Sequence, residues 1–291
     1  MQPYSYNNPI FKAQRRVDGA IGKLQAVWSI LTSQRECIEK EVIFKDVDKF
    51  CLFIGYPRSG HSLVGSLIDA HPNAVIGHEL DVFWYVKLRC SKFQIYCQIL
   101  KNAKRYVETG SEWTDYSYQV PNQWQGNFRR ILLMGDKKGG GTVFWLRKDP
   151  LLLSKLSNIL NVQIKFIHVI RNPFDNITTI CKRNRFTLQK SIDYYFSMTD
   201  TVINVKKSIL AEDFLDIKHE AFIQEPGFML EKICKFIDLE TSQDYIRDCT
   251  SILYKKPHKS RHEIPWSKKL ISFVNERIEN FSHLAEYNFE N

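Results

Sequence analysis

The stretch KFCLFIGYPRSGHSLVGSLIDAHP, residues 49–72, reads as a strand, a turn and a helix in that order. Residues 49–55 form a short apolar run ending in glycine, the pattern of a strand buried on both faces of a parallel sheet. Apolar residues at 63, 64, 67 and 68 then fall at helical spacing until Pro72 stops the pattern. The turn between them, GYPRSGHS (55–62), nearly matches the phosphate loop G-x-x-x-x-G-K-[ST]. Gly55, Gly60 and Ser62 are in place, but the lysine position holds His61, and the nearest cation is Arg58 inside the loop. The turn is either a broken triphosphate site or an intact site for another phosphate ester.

Outward from this unit, strand patterns recur at 73–77 (NAVIG), 130–136 (RILLMGD), 162–170 (VQIKFIHVI) and 214–222 (FLDIKHEAF). Helical patterns fall between them: DPLLLSKLSNIL (149–160), opened by Asp149 and Pro150; DNITTICKRN (175–184), with Asp175 as its cap; and GFMLEKICKFIDL (227–239). This alternation predicts an α/β fold, a three-layer sandwich with a central parallel sheet of the phosphate-loop nucleotide-binding kind. Residues 1–45, with AIGKLQAVWSIL (20–31) at helical spacing, are expected to be a helical lead-in. Residues 46–291 are expected to be one domain, with an aromatic-rich insertion at about 82–130 that lines a substrate pocket.

The chain has 291 residues and a formal net charge of +9, a surplus that suits an anionic ligand. Its seven cysteines show no C-x-x-C pairing, which fits a reducing compartment. No run approaches the roughly 18 apolar residues of a membrane span, and MQPYSYNNPIFKAQRR lacks the apolar core of a secretory signal. The expectation is a cytoplasmic protein without a membrane span. No zinc, helix-turn-helix or ribonucleoprotein motif supports a nucleic-acid partner. The choice between monomer and homodimer stays open.

A strand, a glycine turn and a helix N-terminus together form an anion site, because the first N–H groups of the helix have no internal partner and the helix dipole adds positive charge there. Arg58 adds a bidentate fork, and Ser59 and Ser62 add hydroxyls. Histidine at 61 is shorter than lysine and mostly neutral at pH 7. The carboxylate nearest to a magnesium-holding position is Asp136, and Lys137 and Lys138 follow it at once, which disfavours a metal cation. The site is therefore read as one that holds no metal.

The segment GYPRSGHSLVGSLIDAHPNAVIGHE (55–79) resembles the 5′-phosphosulfate-binding segment of the sulfotransferases that use 3′-phosphoadenosine 5′-phosphosulfate (PAPS), whose pattern is P-[KR]-S-G-[ST]-[ST] followed by a helix. His61 is the departure from that pattern. FIHVIRNPFDNITT (166–179) resembles the same family's 3′-phosphate segment, with Arg171 at the strand end and the hydroxyl of Thr179 eight positions later. More weakly, DIKHEAFIQEPGFMLEKICKFIDLE (216–240) resembles a late strand and helix of the family, and KSRHEIPW (259–266) its closing C-terminal segment.

The resemblance implies that Arg58, Ser59, Gly60, His61 and Ser62 hold the 5′ end of PAPS. Arg171 and Thr179 would hold the 3′-phosphate, with Lys259 and Arg261 closing over it and Trp266 nearby. It implies sulfuryl transfer by in-line attack, with Arg58 and Lys137 neutralising the leaving phosphate of adenosine 3′,5′-bisphosphate. RKDP (147–150) is a rival for the role of Lys137, and the glycines at 139–141 are either part of that segment or a flexible substrate loop. The base is Glu79, which matches by position the glutamate of the tyrosylprotein and heparan N-type members, or His78, since aryl-type members use a histidine. The expected acceptor is the hydroxyl or amine of a small metabolite or natural product. Two rival readings are an ATP- and magnesium-dependent small-molecule kinase and a non-enzymatic nucleic-acid binder.

Overall fold

The computed structural model describes residues 41–113 and 116–291. The helix expected at 20–31 lies outside the described residues. The strands are β1 (Lys49–Ile54), β2 (Ala74–His78), the short antiparallel pair β3 (Glu112–Trp113) and β4 (Tyr116–Ser117), β5 (Leu133–Lys137), β6 (Gln163–Ile170) and β7 (Phe214–Lys218). The helices are α1 (His61–Asp69), α2 (Val82–Lys87), α3 (Lys92–Glu108), α4 (Gly139–Lys148), α5 (Leu151–Leu160), α6 (Pro173–Asn184), α7 (Leu188–Lys207), α8 (His219–Gln224), α9 (Pro226–Phe236), α10 (Gln243–Ser251) and α11 (Lys268–Glu279).

Five strands form one sheet in the order β2-β5-β1-β6-β7, with every neighbouring pair parallel. Alternate residues of β1 enter opposite cores. Phe50, Leu52 and Ile54 pack with α4, α6 and α7, whereas Cys51 and Phe53 pack with α1 and α9. Burial on both faces explains why the strand reads as an unbroken apolar run, and the three-layer expectation holds. β1 is the central strand, so its loop lies at the carboxyl edge of the sheet, where chains of this architecture hold ligands. No helix among the described residues is long and apolar enough to cross a membrane.

Two local expectations are corrected. Asp175 does not cap α6. Asn172 does, its side chain accepting from the N–H of Phe174 at 3.0 Å with Pro173 in the first helical position. Asp175 is instead buried in the first turn, where its carboxylate binds Arg261 through Nη2 (2.8 Å), Nε (3.1 Å) and the backbone N–H (2.8 Å). The strand expected to reach residue 222 ends at Lys218, and HEAF opens α8. Lys218 pairs with Ile170, the last residue of β6, so no strand edge remains for residue 219 to join.

Arg261 also donates to the carbonyls of Asn288 and Phe289, both at 3.1 Å, and so ties the last described residues to α6. Arg261→Ala leaves the Asp175 carboxylate buried without its partner and is expected to cost about 3–5 kcal/mol, read from urea denaturation. A cost under about 1 kcal/mol, the level of an exposed ion pair, would show that the contact carries little of the fold.

Candidate functional site

After β1 the chain runs through Gly55 (φ 139°), Arg58 (φ 72°) and Gly60 (φ 101°) before α1 begins at His61. Positive φ at these three positions bends the loop tightly before the helix start, the kind of backbone in which N–H groups can form an anion-binding nest. A Cβ at Gly60 would stand 2.5 Å from Nδ1 of His219, so glycine is needed there both for its conformation and for space. Asn176 Nδ2 donates to the Pro57 carbonyl at 2.9 Å and ties the loop to α6. Gly139 and Gly140 form the first turn of α4 and pack against the loop: a Cβ would lie 3.4 Å from His61 Nδ1 at the first and 3.3 Å from Pro57 Cγ at the second. The glycine run is thus a docked helix end rather than a loose substrate loop.

β2 and β5 end side by side, with His78 opposite Lys137. Glu79 N–H then donates to the Lys137 carbonyl at 3.1 Å, and φ 59° at Glu79 turns the chain back. The buried Lys137 ammonium reaches Glu79 Oε1 (2.8 Å), Ser62 Oγ (3.0 Å) and His78 Nε2 (3.3 Å). Its stem passes beneath α1 at Gly65, where a Cβ would stand 2.6 Å from Lys137 Cγ. Burial alone would raise the Glu79 carboxyl, but Lys137 and His61 outweigh it and hold Glu79 well below the usual carboxylate range.

The preceding residue of β5 sets the same turn from the other face of the strand. Asp136 Oδ1 accepts from Leu80 N–H (3.1 Å) and Oδ2 from Val82 N–H (2.8 Å). One dipeptide therefore fixes the backbone of the Glu79 turn through Asp136 and its carboxylate through Lys137. Both Asp136 oxygens are committed to backbone donors, and burial pushes its pKa up to about 7.

His61 lines the cleft beside Glu79, whereas His78 lies behind Lys137, stacked on Tyr106 with ring centroids 3.8 Å apart. Burial, reinforced by Lys137, lowers the His78 pKa to about 3. His78 is thus held neutral and away from the cleft wall.

At the end of β6, Arg171 Nη2 donates to His258 O (2.7 Å) and Ser260 Oγ (2.9 Å), and Nη1 lies 3.4 Å from both Thr179 Oγ1 and Arg58 O. Among the described residues every oxygen within hydrogen-bond distance of it is neutral, so no carboxylate cancels the guanidinium charge at contact. Arg58, His61, Ser62 and Glu79 line one cleft of about 430 Å³ together with Arg171 and Thr179. An adjoining space of about 730 Å³ shares the Arg171 wall and continues past Tyr116, Tyr118, Tyr254 and Ile223 to Lys182 and Lys256.

The remaining sequence candidates fall elsewhere. Lys259 is exposed, and its Nζ lies 3.4 Å from the Glu290 carbonyl. Arg261 is spent on Asp175 and neither residue lines the cleft, whereas Ser260 between them does. Trp266 donates to Thr178 Oγ1 at 3.1 Å and packs on Phe174. Arg147 of the RKDP segment bonds Thr201 Oγ1 at 2.9 Å, on the α4–α7 side. Reading the sequence missed Ser260, His219, Arg183 and Tyr254, whereas Tyr116 and Tyr118 lie within the aromatic insertion expected to line a pocket. Arg183 was discoverable: it stands one helical turn after Thr179 and so shares its face.

The model of the Sulfotransferase family matches residues 52–243. No curated protein matches the chain in sequence. Among solved structures, the chain is similar to sulfotransferase STF9 from Mycobacterium avium (11% identity, TM-score 0.58, covering 98% of this chain and 89% of that one). It is also similar to sulfotransferase STF1 from Mycobacterium tuberculosis H37Rv (12% identity, TM-score 0.52, 88% and 82%). The sulfotransferase domain of the Synechococcus PCC 7002 olefin synthase is a third (14% identity, TM-score 0.50, 82% and 96%). At such identities the likeness is one of fold.

The buried position of His78 makes a direct prediction. Its ring resonances are expected to show no titration between about pH 5 and pH 9, where an ordinary histidine changes charge near 6.5. An inflection near 6.5 in an NMR titration would place His78 in contact with solvent.

Proposed function

The chain belongs to the sulfotransferase family, and we propose that it moves a sulfuryl group from PAPS to a hydroxyl or amine of a small-molecule acceptor. One observation carries the reading: Arg58 and Arg171, at the ends of two adjacent strands, face the same cleft. A ligand with phosphates at both ends of an adenosine needs two such stations. The residues present fit it. The loop nest, the α1 N-terminus and Arg58 suit the 5′ end. Arg171, Thr179 and Ser260 supply a cation and two hydroxyls for the 3′-phosphate, and the tyrosine wall gives the base an apolar face. When bound, the donor supplies a sulfuryl group carried on a phosphate leaving group.

The chemistry asked of the chain is proton removal and charge neutralisation. Glu79 lines the cleft and is ionised at neutral pH, so it can take the proton of an acceptor O–H or N–H. A carboxylate held this low is a weak base, which favours a late transfer, once the acceptor atom has become acidic by bonding to sulfur. Protonation of Glu79 removes the charge that holds Lys137. The ammonium, already 3.0 Å from Ser62 Oγ, is then free to favour negative charge developing at the loop. Arg58 supplies the second cation there.

A thermal-shift panel tests the ligand. Adenosine 3′,5′-bisphosphate is expected to raise the melting temperature more than AMP or ATP–magnesium, by mass action on the folded state. Stabilisation by ATP–magnesium alone would overturn the reading in favour of a kinase. Arg171→Ala is expected to erase the advantage of the bisphosphate over AMP. Glu79→Gln is expected to keep bisphosphate binding and to lower donor turnover, measured against a panel of phenols, alcohols and amines, by about 100-fold or more. Near-normal turnover would remove Glu79 from the role of base.

A further inference from the structure

His61, the residue that departs from the phosphate-loop pattern, is 7% exposed, opens α1 and stands between the loop and the base. Its Nδ1 lies 3.2 Å from Ser59 Oγ, and its Nε2 lies 3.8 Å from Glu79 Oε1. The Gly139 turn of α4 packs against the ring, where a Cβ would stand 3.4 Å from Nδ1. Burial lowers its pKa; Glu79 opposes that shift, while Lys137 and Arg58 add to it. The ring is thus neutral at pH 7 and carries one proton. An ionised carboxylate only accepts hydrogen bonds, so the proton belongs on Nε2, facing Glu79, and Nδ1 accepts from the Ser59 hydroxyl. At 3.8 Å the contact with Glu79 is longer than a hydrogen bond and is electrostatic.

Lys137 reaches the same carboxylate oxygen, Oε1, at 2.8 Å. Two donors from different elements thus converge on Oε1, whereas Oε2 makes no hydrogen bond among the described residues. We propose that His61 is a positioning residue for the base: with Lys137 it holds Oε1, so that Oε2 is the atom presented to the acceptor proton. The proposal rests on the sulfuryl-transfer reading of Glu79, and it gives the histidine a role that a short hydroxyl side chain at position 61 could not fill, because only a longer group reaches Glu79.

The alternative is that His61 only braces the loop through Ser59, and two amides separate the cases. Glutamine places its N–H₂ where Nε2 sits and can reach Glu79; asparagine places its own where Nδ1 sits and can reach only Ser59. His61→Gln is expected to keep kcat within about threefold of the parent. His61→Asn and His61→Thr are expected to lose about 10- to 100-fold in kcat, the scale of a misplaced catalytic group, with the donor KM within about twofold. The probe acceptor is 4-nitrophenol. Asparagine rescuing as well as glutamine, or threonine costing nothing, overturns the proposal.

A second measurement does not depend on turnover. In ¹H–¹⁵N spectra of histidine-labelled protein, the His61 signal, assigned by its loss in His61→Gln, is expected to show the proton on Nε2; a proton on Nδ1 overturns the proposal. The thermal response to adenosine 3′,5′-bisphosphate separates the two levels of inference. A parent protein indifferent to the bisphosphate overturns the transfer reading itself, and the ring-nitrogen spectrum then still decides whether His61 holds Oε1.

Discussion

A lysine ammonium removed from water is tolerated only where opposite charge and hydrogen-bond acceptors meet it, and the site is organised around that requirement at Lys137. The parallel register of β2 and β5 brings Glu79 to the ammonium, the first turn of α1 brings Ser62, and β2 brings His78. Removing any one of them would leave a charge or a lone pair under-compensated. The Glu79 carboxylate, the Ser62 hydroxyl and a buried cation are therefore fixed relative to one another by a single electrostatic demand. Asp136, one residue earlier in the strand, carries the same constraint into the backbone of the turn.

The Arg171 end obeys the opposite rule. Its guanidinium is mostly buried yet, among the described residues, meets only carbonyl and hydroxyl oxygens at hydrogen-bond distance, and Asp175 in the first turn of the following helix is claimed by Arg261. One ion pair thus absorbs the carboxylate that would otherwise neutralise the cleft. Arg58 and Arg171 both line one cleft, and an aromatic wall runs on from the Arg171 side.

The parts of this arrangement legible in the sequence are those set by short-range pattern. β1, its glycine turn and α1 were readable because burial on both faces, a positive-φ turn and a helix start each leave a local mark. Arg171 and Thr179 stood out through the resemblance of residues 166–179 to a family segment, and Lys137 through that family's habit of carrying a lysine just after a strand. What was not legible depends on partners far along the chain. Asp175 looks like a helix cap until Arg261, 86 residues later, claims it. In KSRHE the cleft is lined by the serine rather than the flanking cations, a choice made by where Asp175 stands in space. Residues 219–222 carry strand-like apolar content, but a strand needs a neighbour, and β6 has already ended. The tyrosines of the insertion gave composition without position.

Gly65 sits in the middle of α1, where replacing glycine by alanine is normally a safe way to stiffen a helix, worth about 0.5–1 kcal/mol. Here the added methyl would press on the second carbon of the Lys137 side chain at 2.6 Å, a point with little slack of its own. Stabilising this protein by filling helical glycines would therefore trade thermal resistance against the placement of its central cation, and a design campaign should leave that one gap open.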